Sequence, residues 1–177
     1  MTTLNTPNLT KVALATALIV VFSQISIPMP YGVPMTLQTF IIPLVGIILG
    51  SQLGALSAVI YLLLGMIGLP VFSGFSGGAS LLGPTGGFLI SFPILAFCAG
   101  WGCGGHSRTK LYSGLILGMT LNFLIGWWGF KIVTGSSSLV AFNATVLPFI
   151  PTTIIKIICI GVIGEKLSRT IRKKVYR

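Results

Sequence analysis

Six stretches of almost unbroken apolar residues, each closed by a cluster of proline, glycine or serine, set the pattern of this chain. They predict helices near residues 10–27, 37–50, 53–69, 86–104, 111–131 and 148–167. A helix of about 20 apolar residues crosses the hydrocarbon core of a bilayer, and six of them with short connections use nearly the whole chain. The expectation is an all-α integral membrane protein, with six transmembrane helices in one membrane domain over residues 1–177. The opening run has the charged start and apolar body of a signal peptide. No small-residue cleavage site precedes Pro28 and further spans follow, so it reads as a retained first helix.

The interruptions differ in kind. Between the first two helices Pro28-Met29-Pro30-Tyr31-Gly32-Val33-Pro34 forbids continuous helix and favours an extended or turning segment. The third and fourth helices are joined by a glycine-rich stretch from Pro70 to Gly87, the fifth and sixth by a serine-bearing polar stretch from Thr134 to Thr145. By contrast the second and third meet in a tight turn at Gly50-Ser51-Gln52. No fixed-period repeat or inverted duplication is visible, which argues against a self-sufficient secondary carrier.

Charge orients the pattern. The chain carries a formal net charge of +10, from eleven Lys and Arg against one acid, Glu165. Six of the eleven fall between Lys166 and Arg177, a juxtamembrane basic tail over 166–177 rather than the footprint of a nucleic-acid binder, so no nucleic-acid partner is expected. With both termini cytoplasmic, nine of the eleven basic residues lie inside, and only Lys131 and Lys156 do not. All three proline-, glycine- or serine-rich connections then face outward, and the outer surface is the elaborated one.

Catalytic chemistry has little to draw on. The sequence contains no Asp, so neither a carboxylate pair nor a Ser/His/Asp triad can be assembled, and the single histidine, His106, falls in an expected cytoplasmic loop. An enzyme is not expected. The placement of Cys98, Cys103 and Cys159 in or beside apolar spans indicates neither disulfides nor a zinc site, and no metal or cofactor is expected. ATP-binding motifs are missing too, so driven transport requires another subunit to supply the energy.

Binding is better served. Lys156 stands among Ile154, Ile155, Ile157 and Ile158, where a charge costs about 2.5–3.5 kcal/mol on insertion scales and marks a functional position by default. Glu165 is nine residues away, about 13 Å along a helix. A buried ammonium at Lys156 thus takes its counter-charge from outside the polypeptide, most simply from an anionic ligand. The other reading is that it snorkels to the outer interface. The run Gly74-Phe75-Ser76-Gly77-Gly78-Ala79, with Leu82-Gly83-Pro84-Thr85-Gly86-Gly87-Phe88, lets backbone amides approach a ligand while Phe75 and Phe88 cover apolar parts of it. It can equally be a surface turn that requires glycine. Gln38, Asn122 and Asn143 are polar groups in or beside spans, able to meet a ligand or a neighbouring helix, and Ala13 and Ala17 form a small-xxx-small pair suited to close helix approach.

Taken together, Val33-Pro34-Met35-Thr36-Leu37-Gln38-Thr39, Tyr61 to Gly65, Gly68 to Phe72, Gly74 to Phe88 and Pro151 to Lys156 resemble the BioY family, the biotin-specific substrate-binding (S) subunits of energy-coupling-factor transporters. The resemblance implies an S-component fold in a prokaryotic cell membrane, with Pro/Gly-rich extracytoplasmic loops closing over biotin. It further implies docking through the first helix, at Ala13 and Ala17, onto a transmembrane coupling subunit that carries two ATPases. The ligand-binding set it suggests is Lys156, Thr153, Asn122, Phe75, Gly77, Gly78, Thr85, Gly86, Phe88 and Gln38. One departure stands out: the family's sixth-helix motif reads Pro-Gly-Asp before its lysine, and this chain has Thr152 and Thr153 in place of Gly and Asp. The acid that could pair with Lys156 three residues away is lost, which frees the ammonium for a ligand carboxylate or, in the reverse placement, for the ureido ring. The alternatives of another class are a structural or assembly subunit with no biotin site, and a small anion-permeable channel built on Lys131 and Lys156.

Overall fold

The computed structural model describes residues 5–104 and 107–175, the last eight of these by backbone alone. His106 and the basic side chains from Arg169 onward lie outside the described residues. Helix α1 runs Thr6–Ser23, opened by the Asn5 side chain, which accepts the Asn8 N–H at 3.2 Å, with Pro7 in the first turn, where no N–H is needed. It stops four residues short of the expected end. Pro28 disfavours helix at Ile27, and Ser26–Ile27 (β1) instead pairs antiparallel with Met35–Thr36 (β2) in the register Ser26 to Thr36 and Ile27 to Met35. The proline-rich segment is therefore the tip of a short hairpin.

Helices α2 (Gln38–Leu49) and α3 (Ser51–Met66) follow, joined at Gly50, whose φ of 86° is a conformation glycine adopts without strain. They have 12 and 16 residues, about 18 and 24 Å of helix, short of the about 30 Å hydrocarbon core. The glycine-rich stretch then makes a bridge between Phe72 and Ser76 and a single turn α4 (Ala79–Leu82). The expected fourth helix is broken at Ser91 into α5 (Gly86–Ile90) and α6 (Phe92–Cys103).

Helix α7 (Arg108–Thr134) ends at Gly135 in the left-handed conformation. The connection expected to be irregular contains a further helix, α8 (Ser138–Thr145), started by the Ser137 side chain, which accepts the Val140 N–H at 3.4 Å. Last comes α9 (Ile150–Val175), which continues into the basic tail.

The protein is thus mostly helical and multi-pass, and among the described residues four stretches are long and apolar enough to span: Thr6–Ser23, Gly86–Cys103, Arg108–Thr134 and Ser138–Leu167. Helix α6 is the axis, packed on α2, α3 and α7. Around it lie Ile42, Tyr61, Phe92, Leu95, Leu115 and Ile160, all essentially inaccessible. Outward-facing positions such as Leu14, Leu18, Ile116, Leu124, Ile155 and Val162 form an apolar girdle, the surface hydrocarbon requires. Helix contacts are made through glycine. A Cβ at Gly46 of α2 would lie 2.1 Å from the Ala96 carbonyl oxygen of α6, and one at Gly114 of α7 would lie 2.5 Å from that of Cys98.

Candidate functional site

At one end of the bundle a cavity of about 440 Å³ lies between the starts of α2, α6 and α9, the short helices α4 and α5, the middle of α7 and the end of α8. This size suits a small-molecule ligand, whose sites span about 300–1,000 Å³. The β1–β2 hairpin contributes Gly32, Val33 and Pro34 to its wall, and the glycine-rich stretch contributes Ser76, Ala79, Ser80 and Thr85. Phe72, Phe88, Phe92, Phe123 and Phe149 give it a largely aromatic lining. Gly126 makes room for the Phe88 ring, which meets Phe123 edge-to-face with centroids 6.3 Å apart.

Lys156 reaches this cavity from α9. Ile154, Ile155 and Ile158 face out towards lipid, whereas Thr153, Lys156, Ile157 and Ile160 fall on the inward stripe of the helix. The ammonium does not run along the helix to the headgroups. It donates to the Thr36 carbonyl oxygen at 2.8 Å and to Thr39 Oγ1 at 2.9 Å. Two of the three ammonium donors are thereby engaged and one is left for a ligand. Among the described lining residues none is acidic, and the single carboxylate of the chain, Glu165, accepts from Arg108 Nε at 3.0 Å near the opposite end. The cavity therefore holds one cation with no compensating charge of its own.

Asn122 commits both amide protons to the protein, one to the Phe88 carbonyl at 3.1 Å and one to Ser91 Oγ at 2.6 Å. Its Oδ1 is left as an acceptor at the cavity wall. Gln38 is buried at the start of α2; its Nε2 donates to the Tyr61 hydroxyl at 2.6 Å and its Oε1 accepts from Thr36 Oγ1 at 3.0 Å. On the other wall Ser80 Oγ donates to Ser76 Oγ at 2.7 Å, and Thr85 Oγ1 donates to the Ser80 carbonyl at 3.1 Å. The glycine-rich wall is tied down by Gln24, whose Oε1 accepts the Phe75 N–H at 3.0 Å and whose Nε2 donates to the Val71 carbonyl at 3.1 Å.

Of the residues expected to bind ligand, Lys156, Thr153, Asn122, Thr85, Phe88 and Gln38 line this one cavity. Four others do not. Phe75 is 72% exposed on the outside of its turn. Gly77 and Gly78 pack on carbonyl oxygens at the end of α3, where an added Cβ would sit 3.2–3.3 Å from Gly68, Leu69, Gly65 and Met66. At Gly86 a Cβ would lie 2.0 Å from the Leu81 carbonyl oxygen, so glycine there serves the turn into α5. Ala13 and Ala17 are exposed on α1, on the face away from Val12, Ala15 and Ile19. Asn143, on α8, is exposed and outside the cavity. The sequence reading missed Ser76, Ser80, Phe123 and Phe149. The first two sit at i, i+4 in the glycine-rich stretch, a spacing that was available as a signal; the two phenylalanines are unmarked among many apolar residues.

Compared with known proteins, the chain matches the BioY family over residues 1–173. It is 45% identical to a probable biotin transporter BioY of Pyrococcus horikoshii, over 89% of this chain and 93% of that one. It is 34% identical to the biotin transporter BioY of Rhodobacter capsulatus, over 92% and 93% of the two chains. Among solved structures it is similar to one described as the S-component for biotin from an ECF-type ABC transporter, with a TM-score of 0.83, 30% identity, and coverage of 96% and 95%.

Proposed function

Because the chain belongs to the BioY family, we propose that it is the biotin-binding membrane subunit of a vitamin uptake system, without catalytic activity of its own. The observation that carries this reading is the cavity: aromatic walls, hydroxyl and amide groups spaced along them, and one ammonium with a donor to spare. Biotin has complementary parts. Its carboxylate is an anion for Lys156, its ureido ring has two N–H groups and a carbonyl oxygen that Asn122 Oδ1 and the hydroxyls of Thr153, Ser80 and Thr85 can meet between them, and its thiophane ring and methylenes suit Phe88, Phe123 and Phe149. A structural subunit without a ligand has no use for an uncompensated cation beside a cavity of this size, which disfavours the assembly reading; the channel reading is disfavoured by the family match and by Lys131, which bonds Ser138 Oγ and does not share the cavity with Lys156.

The same reading supplies the finer architecture. Helices α2 and α3, extended by the hairpin and the glycine-rich wall, complete six crossings, and the basic residues put both termini in the cytoplasm with the cavity facing out. Ala13 and Ala17, exposed on α1, present the small-residue face onto which a transmembrane coupling subunit with two ATPases docks. The membrane is that of a prokaryote.

Equilibrium binding of labelled biotin to the purified full chain tests the reading. Saturable binding is expected. A charge-assisted hydrogen bond is worth about 1.5–3 kcal/mol, so Lys156→Ala should weaken it by roughly 10- to 150-fold, and Lys156→Arg by less. A protein that shows no saturable site overturns the assignment, while unchanged affinity in both variants removes Lys156 from the site. Biotin uptake by vesicles holding this chain alone, equal to uptake with the ATPases added, would remove the energising partner.

A further inference from the structure

We infer that Tyr61, which does not line the cavity, is a positioning residue for the Lys156 ammonium. It acts through Gln38 and Thr36 and thereby sets how strongly the site prefers a ligand that carries a carboxylate. The inference rests on the biotin reading above and adds to it a residue outside the ligand's reach.

An ammonium on a flexible four-carbon stem carries about 2 kcal/mol of rotamer entropy, so its value as a ligand group depends on what holds it before the ligand arrives. Here it is held by the Thr36 carbonyl and Thr39 Oγ1. Thr36 is an unsteady support when taken alone. It lies in the two-residue strand β2 of a hairpin whose tip contains three prolines, and a two-stranded hairpin is marginal by itself. What fixes it is a pair of reciprocal bonds to Gln38: Thr36 Oγ1 donates to Gln38 Oε1 at 3.0 Å, and the Gln38 backbone N–H donates to Thr36 Oγ1 at 3.2 Å.

Gln38 is fixed in turn by Tyr61. Its Nε2 donates to the Tyr61 hydroxyl at 2.6 Å, and Tyr61 is fully buried on α3 with its ring edge-to-face on Phe72, centroids 5.1 Å apart. The path thus runs from a rigid helix in the core, through one amide, to the carbonyl that aims the cation. Buried polar chains of this kind hold geometry when every member is satisfied, and lose it when one is removed. Loss of the hydroxyl alone spares the other wall. Tyr61→Phe keeps the ring on Phe72, and Ser76, Ser80 and Thr85 are held by bonds within their own segment, so the change reaches the ligand's carboxylate and leaves those hydroxyls in place.

The test measures biotin beside its neutral primary amide, on the full chain, for wild type, Tyr61→Phe, Lys156→Ala and the double variant. Tyr61→Phe is expected to weaken biotin about tenfold and to leave the amide within about twofold, the loss of one charge-assisted contact. In the Lys156→Ala background the same change should have almost no further effect on biotin, since residues acting through one path do not add. Should Tyr61→Phe fail to fold, Thr36→Val cuts the same path at a half-buried position on the hairpin and is expected to give the same selective loss. Equal weakening of biotin and amide, or full additivity with Lys156→Ala, overturns the inference and assigns Tyr61 to general packing. Absence of biotin binding by the wild type overturns the reading beneath it, and the inference with it.

Discussion

Around Gly50 the helices α2, α3 and α6 meet backbone to backbone, whereas around Lys156 the helices α2 and α9 are bridged by side-chain hydrogen bonds beside a cavity lined with phenylalanine rings. At the first end, a Cβ on Gly100 of α6 would lie 2.4 Å from the Ser51 nitrogen and 2.6 Å from the Gly46 carbonyl oxygen, and one on Gly54 of α3 would lie 2.5 Å from the Gly46 Cα. No methyl group fits there. In lipid, where apolar burial between helices gains little over contact with acyl chains, such close packing is what holds helices together. At the other end the walls depend on the half-buried Gln24 and the buried Gln38 and Tyr61, polar groups whose bonds have direction. One end can act as a fixed root and the other as a shaped opening, and the contrast lies in the kind of contact rather than in the amount.

The contrast breaks most severely if the root is pried open. Gly46→Val drives a side chain into the Ala96 backbone, which cannot yield as a flexible side chain would. Overpacking there is expected to cost about 3 kcal/mol or more, seen as a sharply lowered thermal midpoint or failure to accumulate in the membrane, with biotin binding lost. At the mouth, Gly83 has nothing nearer than 3.5 Å to an added Cβ, so Gly83→Ala should shift stability by no more than about 0.5 kcal/mol. Comparable thermal midpoints for the two variants would show that the two ends do not differ in this way.

A smaller effect is expected from loosening the mouth alone. Gln24→Ala removes the acceptor of the Phe75 N–H and a donor to the Val71 carbonyl, the bonds that hold the glycine-rich wall against the end of α1. Phe75 itself, at φ 56°, sits where a residue with a side chain is strained, so the turn needs such a tie. At about 1 kcal/mol per bond, biotin should dissociate roughly five- to thirtyfold faster, for one or both bonds felt by the ligand, while the thermal midpoint moves little. A midpoint that falls as far as in Gly46→Val would make Gln24 part of the root.

How much of this was legible in the sequence follows the same division. The apolar runs marked the helices because hydrophobic length carries that information directly. Lys156 stood out because a cation among isoleucines is conspicuous, and the structure turns it away from most of them onto the stripe it shares with Thr153 and Ile160. Two things were hidden. The glycines at Gly46, Gly54 and Gly100 have no periodic signature within one helix; they matter through contacts between helices distant in sequence. In sequence the glycine-rich stretch suits a ligand cradle and a surface turn equally; in the structure Gly77 and Gly78 pack against the end of α3, while Ser76 and Ser80 on either side of them line the cavity. Composition distinguishes a loop from a helix, but it does not tell which side of a loop faces inward. Nor could the pattern separate Thr134 to Thr145 into a turn and α8, because Ser137 acts as a cap only through its geometry.

The mildest change asks whether the two ends communicate. Arg108 joins the start of α7 to Glu165, past the middle of α9, the helix that also carries Lys156. A side chain 74% exposed on one partner leaves such a pair screened by water and salt, so Glu165→Gln, which keeps the shape and one acceptor oxygen, should lower stability by less than about 0.5 kcal/mol. Its effect on biotin should be smaller still. Glu165 lies nine residues, about 13 Å, along α9 from Lys156, and substitutions that far apart with no shared partner combine to within about twofold. Affinity measured for Glu165→Gln, Lys156→Ala and the pair decides the matter: additive losses leave the mouth independent of the root, whereas a coupling beyond that twofold would mean α9 carries strain from the ion pair to the ammonium.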